Sequence, residues 1–387
     1  MTLAFAAYRD NTGSPVVLDA VIQAKSRLLE SGKDWQHEYL PISGLPEFLV
    51  ASQKLAFGEE LAKEKALEGT LTSMQTLSGT GALHLAATLY SRFAKSPKVM
   101  VSNPTWGNHK ALFSGAGLQV ENYRYLDSSC ASTPRLDLKG MLEDLEGCDA
   151  GTMVLLQVCA HNPTGVDPTE DEWKEVIKVC KSRGLIVLLD NAYQGFSSGD
   201  VGADNFAMKE FAKSGLDVFC ACSFAKNMGL YGERIGALHV IAPNKEVCQN
   251  VLSQLKVIAR TTYSNPPQFG ALIVAMILND EQLRATWEKQ LRTMTGRIKS
   301  MREELRTRLE SATSADWSHI TSQIGMFSYT GLTKDQCIRC REKGALFMLE
   351  TGRISVAGLN DGNVQRVAEV MAASVNDNDK DKVGAKL

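Results

Sequence analysis

No apolar run in this chain is long enough to cross a bilayer, so a helical membrane span is not expected. A charge excess of either sign is also missing. Forty-two lysines and arginines face 44 aspartates and glutamates, for a formal net charge of −2. That balance denies the chain the broad positive field that nucleic-acid binding needs, so no nucleic-acid partner is expected. The N-terminal "MTLAFAAYRD" reaches Arg9 and Asp10 too soon to be a secretory signal. Nine cysteines, an odd number without dense spacing, do not make a disulfide framework. Reduced thiols and a cytoplasmic location are expected. The one C-x-x-C, Cys337 to Cys340 in "CIRC", has no second pair or spaced histidines near it, so neither zinc nor any other metal is expected. The dinucleotide fingerprint G-x-G-x-x-G is incomplete. In "SGTGALHL" the third glycine is replaced by His84, which argues against a nicotinamide oxidoreductase. There is no internal repeat and no low-complexity linker, and the polar, charge-dense tail "VNDNDKDKVGAKL" is expected to be a frayed, solvated end.

What is present is length and alternation. A chain of 387 residues is large enough for a substantial core and two domains. From about residue 70 to 245, short β-rich runs ("KVMVSNP", "GTMVLLQVCA", "GLIVLLD", "LDVFCACSF") alternate with longer mixed segments. One of these, "DPTEDEWKEVIKVCKSR" (167–183), has acids first and bases last, as a crossover helix should. The pattern predicts an α/β fold, a large domain whose mostly parallel sheet is covered by helices on both faces. Leu283, Trp287, Leu291, Met294, Ile298, Met301, Leu305 and Leu309 recur every three or four residues. They predict one long amphipathic helix over 281–310, joining the sheet to a smaller α+β domain.

Ligands of open parallel sheets bind beyond the carboxyl ends of the strands. Four expected strand ends carry unusual polar sets: Trp106 and His109 in "SNPTWGNH", His161 and Asn162 in "CAHNPTG", Asp190 and Tyr193 in "LLDNAYQGF", Ser223 and Lys226 in "SFAKN". Any one of them has an ordinary structural explanation as a cap or a core residue. Together they supply the groups that a pyridoxal 5'-phosphate pocket needs. A lysine amine condenses with the aldehyde, here Lys226. An anion, Asp190, keeps the pyridine nitrogen protonated. Asn162 and Tyr193 bond the phenolic oxygen, and Trp106 stacks on the ring. Ser78, Gly79 and Thr80 precede a helix and can meet a phosphate, with Ser223 and Arg234 adding donors.

These motifs, together with "HEYLPISGLPEF", "TTYSNPP", "IGMFSYTGL" and "TGRISVAGL", resemble the aspartate aminotransferase family, pyridoxal-phosphate enzymes of fold type I. The resemblance runs from "AAYRD" to about residue 370. It implies reversible, ping-pong transfer of an amino group between L-aspartate and 2-oxoglutarate, giving oxaloacetate and L-glutamate through a Schiff base on Lys226. The alternative within the family is a broader enzyme that also accepts aromatic amino acids. The resemblance further implies a homodimer with shared sites. Tyr39 would reach the neighbouring subunit's phosphate and Arg260 the substrate's side-chain carboxylate, while Arg353 holds the α-carboxylate. Ala6 stands near the substrate where the family usually has glycine. Ala225 and Gln157 replace a common serine and histidine. The implied division is a large domain over 17–293 and a small one from 1–16 plus 294–387, closing when a dicarboxylate binds.

Overall fold

The computed structural model describes residues 1–4, 7–32, 37–127 and 134–384, with side chains as far as residue 376. Seven strands form the main sheet: β1 (Leu71–Leu77), β2 (Lys98–Asn103), β3 (Gln119–Arg124), β4 (Met153–Gln157), β5 (Ile186–Asn191), β6 (Val218–Ser223) and β7 (Ile235–Ile241). Their order is β1-β7-β6-β5-β4-β2-β3. Only β7 runs antiparallel to its neighbours. It therefore begins at the edge where the other six strands end. Strands such as "MVLLQ" and "VFCACS" are buried along their whole length. That is what covering both faces of a parallel sheet requires.

The expected crossover helix forms over Glu170–Arg183, three residues shorter at its start than the sequence suggests. Thr169 and Glu172 make a reciprocal capping box there. Asp167 is drawn away, accepting the Ala160 and His161 amides at 2.5 and 2.8 Å. The long helix spans Glu281–Ala312, with the Asp280 carboxylate accepting the Leu283 amide at 2.9 Å. All eight of its predicted apolar positions are buried. Two short antiparallel strands, β8 (Phe327–Tyr329) and β9 (Arg353–Ser355), form a second layer. The N-terminal segment joins this layer through hydrogen bonds between Leu3 and both Phe347 and Ser355. Cys337 and Cys340 lie on the helix Lys334–Gly344 and pack into the core.

The polar tail differs from expectation. The helix Val364–Gly384 continues through it, because each residue added to an established helix gains a backbone hydrogen bond without a new nucleation cost.

Candidate active site

The sheet register aligns the chemistry. Gln157 of β4, Asp190 of β5 and Ala221 of β6 are lateral Cα partners, so the loops that follow leave the sheet at one level. Lys226 lies three residues beyond β6. Its amine sits 4.7 Å from the centroid of the Tyr193 ring. Burial drives the Lys226 pKa below its ordinary value; the Asp190 charge opposes the shift and Arg234 adds to it. A lysine whose ammonium form is disfavoured by burial gives up its proton more readily, which suits a nucleophile and base. The loop carrying it is pinned from behind, where Trp287 Nε1 on the long helix donates to the Asn227 carbonyl at 2.7 Å.

Asp190 is 7% exposed and has a backing partner that the sequence left without a role. His109 Nε2 lies 3.2 Å from Asp190 Oδ2, and His109 Nδ1 lies 2.7 Å from the Thr105 hydroxyl. With the carboxylate accepting, the ring proton belongs on Nε2 and the hydroxyl donates to Nδ1. The Trp106 ring meets His109 edge-on, with centroids 5.1 Å apart. The spacing of Trp106 and His109 in "TWGNH" was the only available signal for this pairing, and it does not name the partner.

Asn162 is the junction of the site. Its Nδ2 donates to the Tyr193 hydroxyl at 3.2 Å, and its Oδ1 accepts from Arg353 Nη1 at 3.1 Å. Gln157 holds the Asn162 backbone with two hydrogen bonds, donating to its carbonyl at 3.0 Å and accepting from its amide at 2.9 Å. Tyr193 is pushed well above the ordinary phenol range by burial, reinforced by the Asp190 charge, so it stays protonated and able to donate. Arg353 is 8% exposed, and burial lowers its pKa. Its Nη2 donates to the Ala4 carbonyl at 2.6 Å, and its Nε has no partner among the described residues.

The third part is an anion cradle. Ser78 and Ser223 place their hydroxyls 2.9 Å apart, at the ends of β1 and β6. Ser78 opens the helix Ser78–Phe93, whose first turn has no side-chain cap; beyond the Ser78 amide, its N-terminal amides are the groups that an anion can meet. Ser78 and Arg234 both hold positive φ, 62° and 50°, a conformation that costs about 1–3 kcal/mol for residues other than glycine. The Ser78 amide donates to the Arg234 carbonyl at 3.1 Å, so the two strained residues brace each other. A Cβ on Gly236 would lie 2.5 Å from the Cys222 carbonyl and 2.6 Å from the Ser78 carbonyl carbon, so only glycine admits this approach. Paired hydroxyls, uncapped amides and a guanidinium fit a phosphate. Asp190, Asn162 and Tyr193 fit the two sides of a pyridine ring.

Within one chain the structure thus brings together Ser78, Gly79, Trp106, Asn162, Asp190, Tyr193, Ser223, Lys226, Arg234 and Arg353. Thr80 is exposed, as is Arg234, and the two line one cavity beside the cradle. Tyr39, 81% exposed, and Arg260, also exposed, are not brought in. Arg260 Nη1 instead donates to Ser264 Oγ at 2.6 Å and Asn265 Oδ1 at 3.3 Å, while Asn265 Nδ2 donates to the Leu40 carbonyl at 2.7 Å. Ala6 lies outside the described residues.

The loop bearing Asn162 gives the site a pH-dependent support. His161 stacks on Tyr125 at 4.0 Å, and its pKa falls well below 6.5, through burial first and the neighbouring His109 second. The folded chain therefore leaves His161 neutral where the unfolded chain protonates it. The stability is whole above pH 6.5 and is lost as pH falls, by up to about 1.4 kcal/mol per pH unit. Asp167 acts oppositely between 3.8 and about 6, because burial raises it and the folded chain takes that proton first. Urea unfolding between pH 7.5 and 6.0 reads the histidine as a difference between variant and parent, because His319, also lowered by burial, and Asp167 contribute to both chains. A His161→Gln variant is expected to show a weaker stability loss over that interval than the parent chain, and equal slopes would refute the assignment.

Comparison with known proteins agrees with this geometry. The family model for aminotransferase class I and II matches residues 1–371. The mitochondrial aspartate aminotransferase of Dictyostelium discoideum is 44% identical over 379 residues, covering 98% of this chain and 87% of that protein. The cytoplasmic aspartate aminotransferase of Schizosaccharomyces pombe is 45% identical over 379 residues, covering 97% and 91%. Among solved structures, an aromatic-amino-acid aminotransferase from Burkholderia pseudomallei, covalently bound to pyridoxal phosphate, superposes with a TM-score of 0.92 at 41% identity, covering 96% of this chain and 92% of that one. Fold, site and full-length similarity converge: the chain belongs to the class I and II aminotransferases.

Proposed function

We propose that this chain is a pyridoxal-phosphate-dependent transaminase that moves an amino group reversibly between L-aspartate and 2-oxoglutarate, yielding oxaloacetate and L-glutamate in two half-reactions. The observation that carries it is the continuous line from Arg353 through Asn162 to Tyr193, with the Lys226 amine over the Tyr193 ring. A carboxylate held by Arg353 would present its α-carbon to that amine. When bound, pyridoxal phosphate supplies the aldehyde for condensation and the ring that accepts the electron pair of the α-carbon.

The protein's share is positioning and proton movement. Lys226 takes the proton from the substrate α-carbon and returns it as an acid. Asp190, braced by His109, holds a proton on the pyridine nitrogen. Tyr193 and Asn162 donate to the phenolic oxygen, Trp106 covers one face, and Ser78, Gly79, Thr80, Ser223 and Arg234 fix the phosphate. Arg353 and Arg260 bind the two substrate carboxylates as forked, charge-assisted pairs.

The site is shared by two copies of the chain. Tyr39 and Arg260 lie on the surface, and Asn265 links Arg260 to the carbonyl of Leu40, the residue next to Tyr39, so the two are presented from neighbouring segments. A cavity of about 500 Å³ lined in part by Thr80, Arg234 and Tyr263 adjoins the cradle and leaves room for Tyr39 of a second copy. The small domain comprises 1–16 and 294–387, and the large one 17–293. The Leu3 contacts with Phe347 and Ser355 support this pairing of the two chain ends. With Arg353 on the small domain, binding of a dicarboxylate draws the domains together. The cytoplasm is the proposed location, as in the Schizosaccharomyces pombe relative.

Absorption spectroscopy tests the reaction. The purified holoenzyme is expected to be yellow and to bleach on addition of aspartate, with 2-oxoglutarate restoring the colour. Bleaching by phenylalanine at a comparable rate would move the reading to the broader aromatic and dicarboxylic specificity. No response to any amino acid would overturn it.

A further inference from the structure

Arg353 does not hold its orientation alone. Its guanidinium carbon lies 4.5 Å from the centroid of the Phe327 ring, diagonally across the β8–β9 pair, in which Phe327 faces Ser355 and Arg353 faces Tyr329. The same ring meets Tyr193 edge-on, with centroids 5.7 Å apart at 86°. Phe327 is fully buried, so it fills the space between the arginine and the phenol and fixes the plane in which the guanidinium can turn. What fixes Phe327 comes from another element. Arg302 on the long helix is 2% exposed and directs its donors at a single loop. Nη1 donates to the Ile320 carbonyl at 2.8 Å, and Nη2 donates to the Gly325 carbonyl at 2.9 Å and to the Phe327 carbonyl.

Among the described residues, each hydrogen-bond partner of Arg302 is a main-chain carbonyl, and its Nε has none. Burial pushes its pKa down to about 9. A buried cation answered only by carbonyl dipoles is a costly arrangement for stability alone, since apolar packing of similar volume often does as well. The loop it grips has no slack on its other side. The Ile324 amide donates to the Gly165 carbonyl at 2.7 Å, and a Cβ on Gly165 would lie 2.7 Å from the Phe327 carbonyl. Gly325 packs against Ala160 in the same way. The loop is thus clamped between the Asn162 loop and the long helix, with Arg302 as the fastening on the helix side.

We propose that Arg302 is a positioning residue for carboxylate capture: through the Phe327 backbone it sets the aromatic platform that aims Arg353 at the substrate. This rests on the reading of Arg353 as the α-carboxylate site. Arg302 touches neither substrate nor cofactor, so its loss acts on substrate affinity and leaves the proton chemistry at Lys226 largely intact.

The test uses the holoenzyme and two readouts: steady-state kinetics with aspartate, and spectral titration with succinate, a dicarboxylate that cannot react. In Arg302→Met, KM for aspartate and Kd for succinate are expected to rise together by about 10- to 100-fold, with kcat within about threefold of the parent. Arg302→Lys, which keeps the charge but not the fork, is expected to recover part of the affinity. Phe327→Leu leaves the backbone clamp in place and removes the platform. It is expected to raise both constants as well, and it decides the matter if Arg302→Met does not fold. An unchanged succinate Kd in Arg302→Lys and Phe327→Leu, or a loss confined to thermal stability, overturns the inference. Arg353→Leu serves as the reference. If it weakens succinate while the other variants do not, only the role of Arg302 falls. If it too leaves succinate binding unchanged, the assignment of Arg353 falls with it.

Discussion

Replacing Lys226 by alanine is expected to lower turnover of aspartate by at least about 10²–10⁴-fold, the range that one positioned acid–base group supplies. In the proposed mechanism the amine would also be the nucleophile toward the cofactor aldehyde, so the loss should lie at the upper end or beyond. Nothing else near the Tyr193 ring can substitute. Tyr193 is held protonated by burial, and Asp190 is already engaged with His109. The variant should still retain cofactor, because Ser78, Ser223, Arg234 and Asp190 are untouched by the substitution. The check is borohydride reduction followed by peptide mass spectrometry. The parent chain is expected to carry a pyridoxyl adduct on Lys226, and the variant none. An adduct on a different lysine, or a variant with a tenth of the parent activity, would remove the foundation of the proposed mechanism.

The second large effect belongs to Arg260. In the proposed site a dicarboxylate would leave both Arg353 and Arg260 paired, whereas a neutral side chain would strand Arg260 as a desolvated charge. Breaking such a pair costs about 2–5 kcal/mol, or roughly 30- to 5,000-fold in discrimination. Arg260→Leu is expected to cut kcat/KM for aspartate within that range and to leave phenylalanine unchanged or improved. Equal losses for both substrates would show that the residue supports the fold and does not read the side chain.

The same variant tests the shared site. Lys226→Ala and Arg260→Leu subunits, each nearly inactive alone, should regain activity when unfolded and refolded together. If Tyr39 and Arg260 serve a neighbouring copy, half of the randomly paired dimers hold one intact site of two, about a quarter of parental activity. No recovery would confine each site to one chain.

Much of this was legible before any coordinates. Four of the seven main-sheet strands, β2, β4, β5 and β6, and the long helix follow from local patterning, and the residues at the strand ends follow from where such sheets bind ligands. Asp190, Asn162, Tyr193, Ser223 and Lys226 all lie where that rule puts them. The helix start at Glu170 was misjudged because Asp167 looks like part of an acidic first turn, and only its amide partners at Ala160 and His161 show otherwise. The polar tail was misjudged because composition reports hydration, while helix propagation depends on the turn before it.

By itself the sequence determined the four strands β2, β4, β5 and β6, the crossover helix and the long helix, and the chemical inventory of the site. These depend on side-chain alternation and on motifs a few residues long, which are local properties. Tertiary structure decided the pairings. The antiparallel entry of β7 delivers Arg234 and Gly236 to the phosphate edge, His109 meets Asp190 across 81 positions, and Arg353 meets Asn162 across 191. No local pattern encodes such contacts. They exist because the sheet order and the long helix bring distant chain segments within hydrogen-bonding reach, where burial makes each unpaired polar group too costly to leave alone.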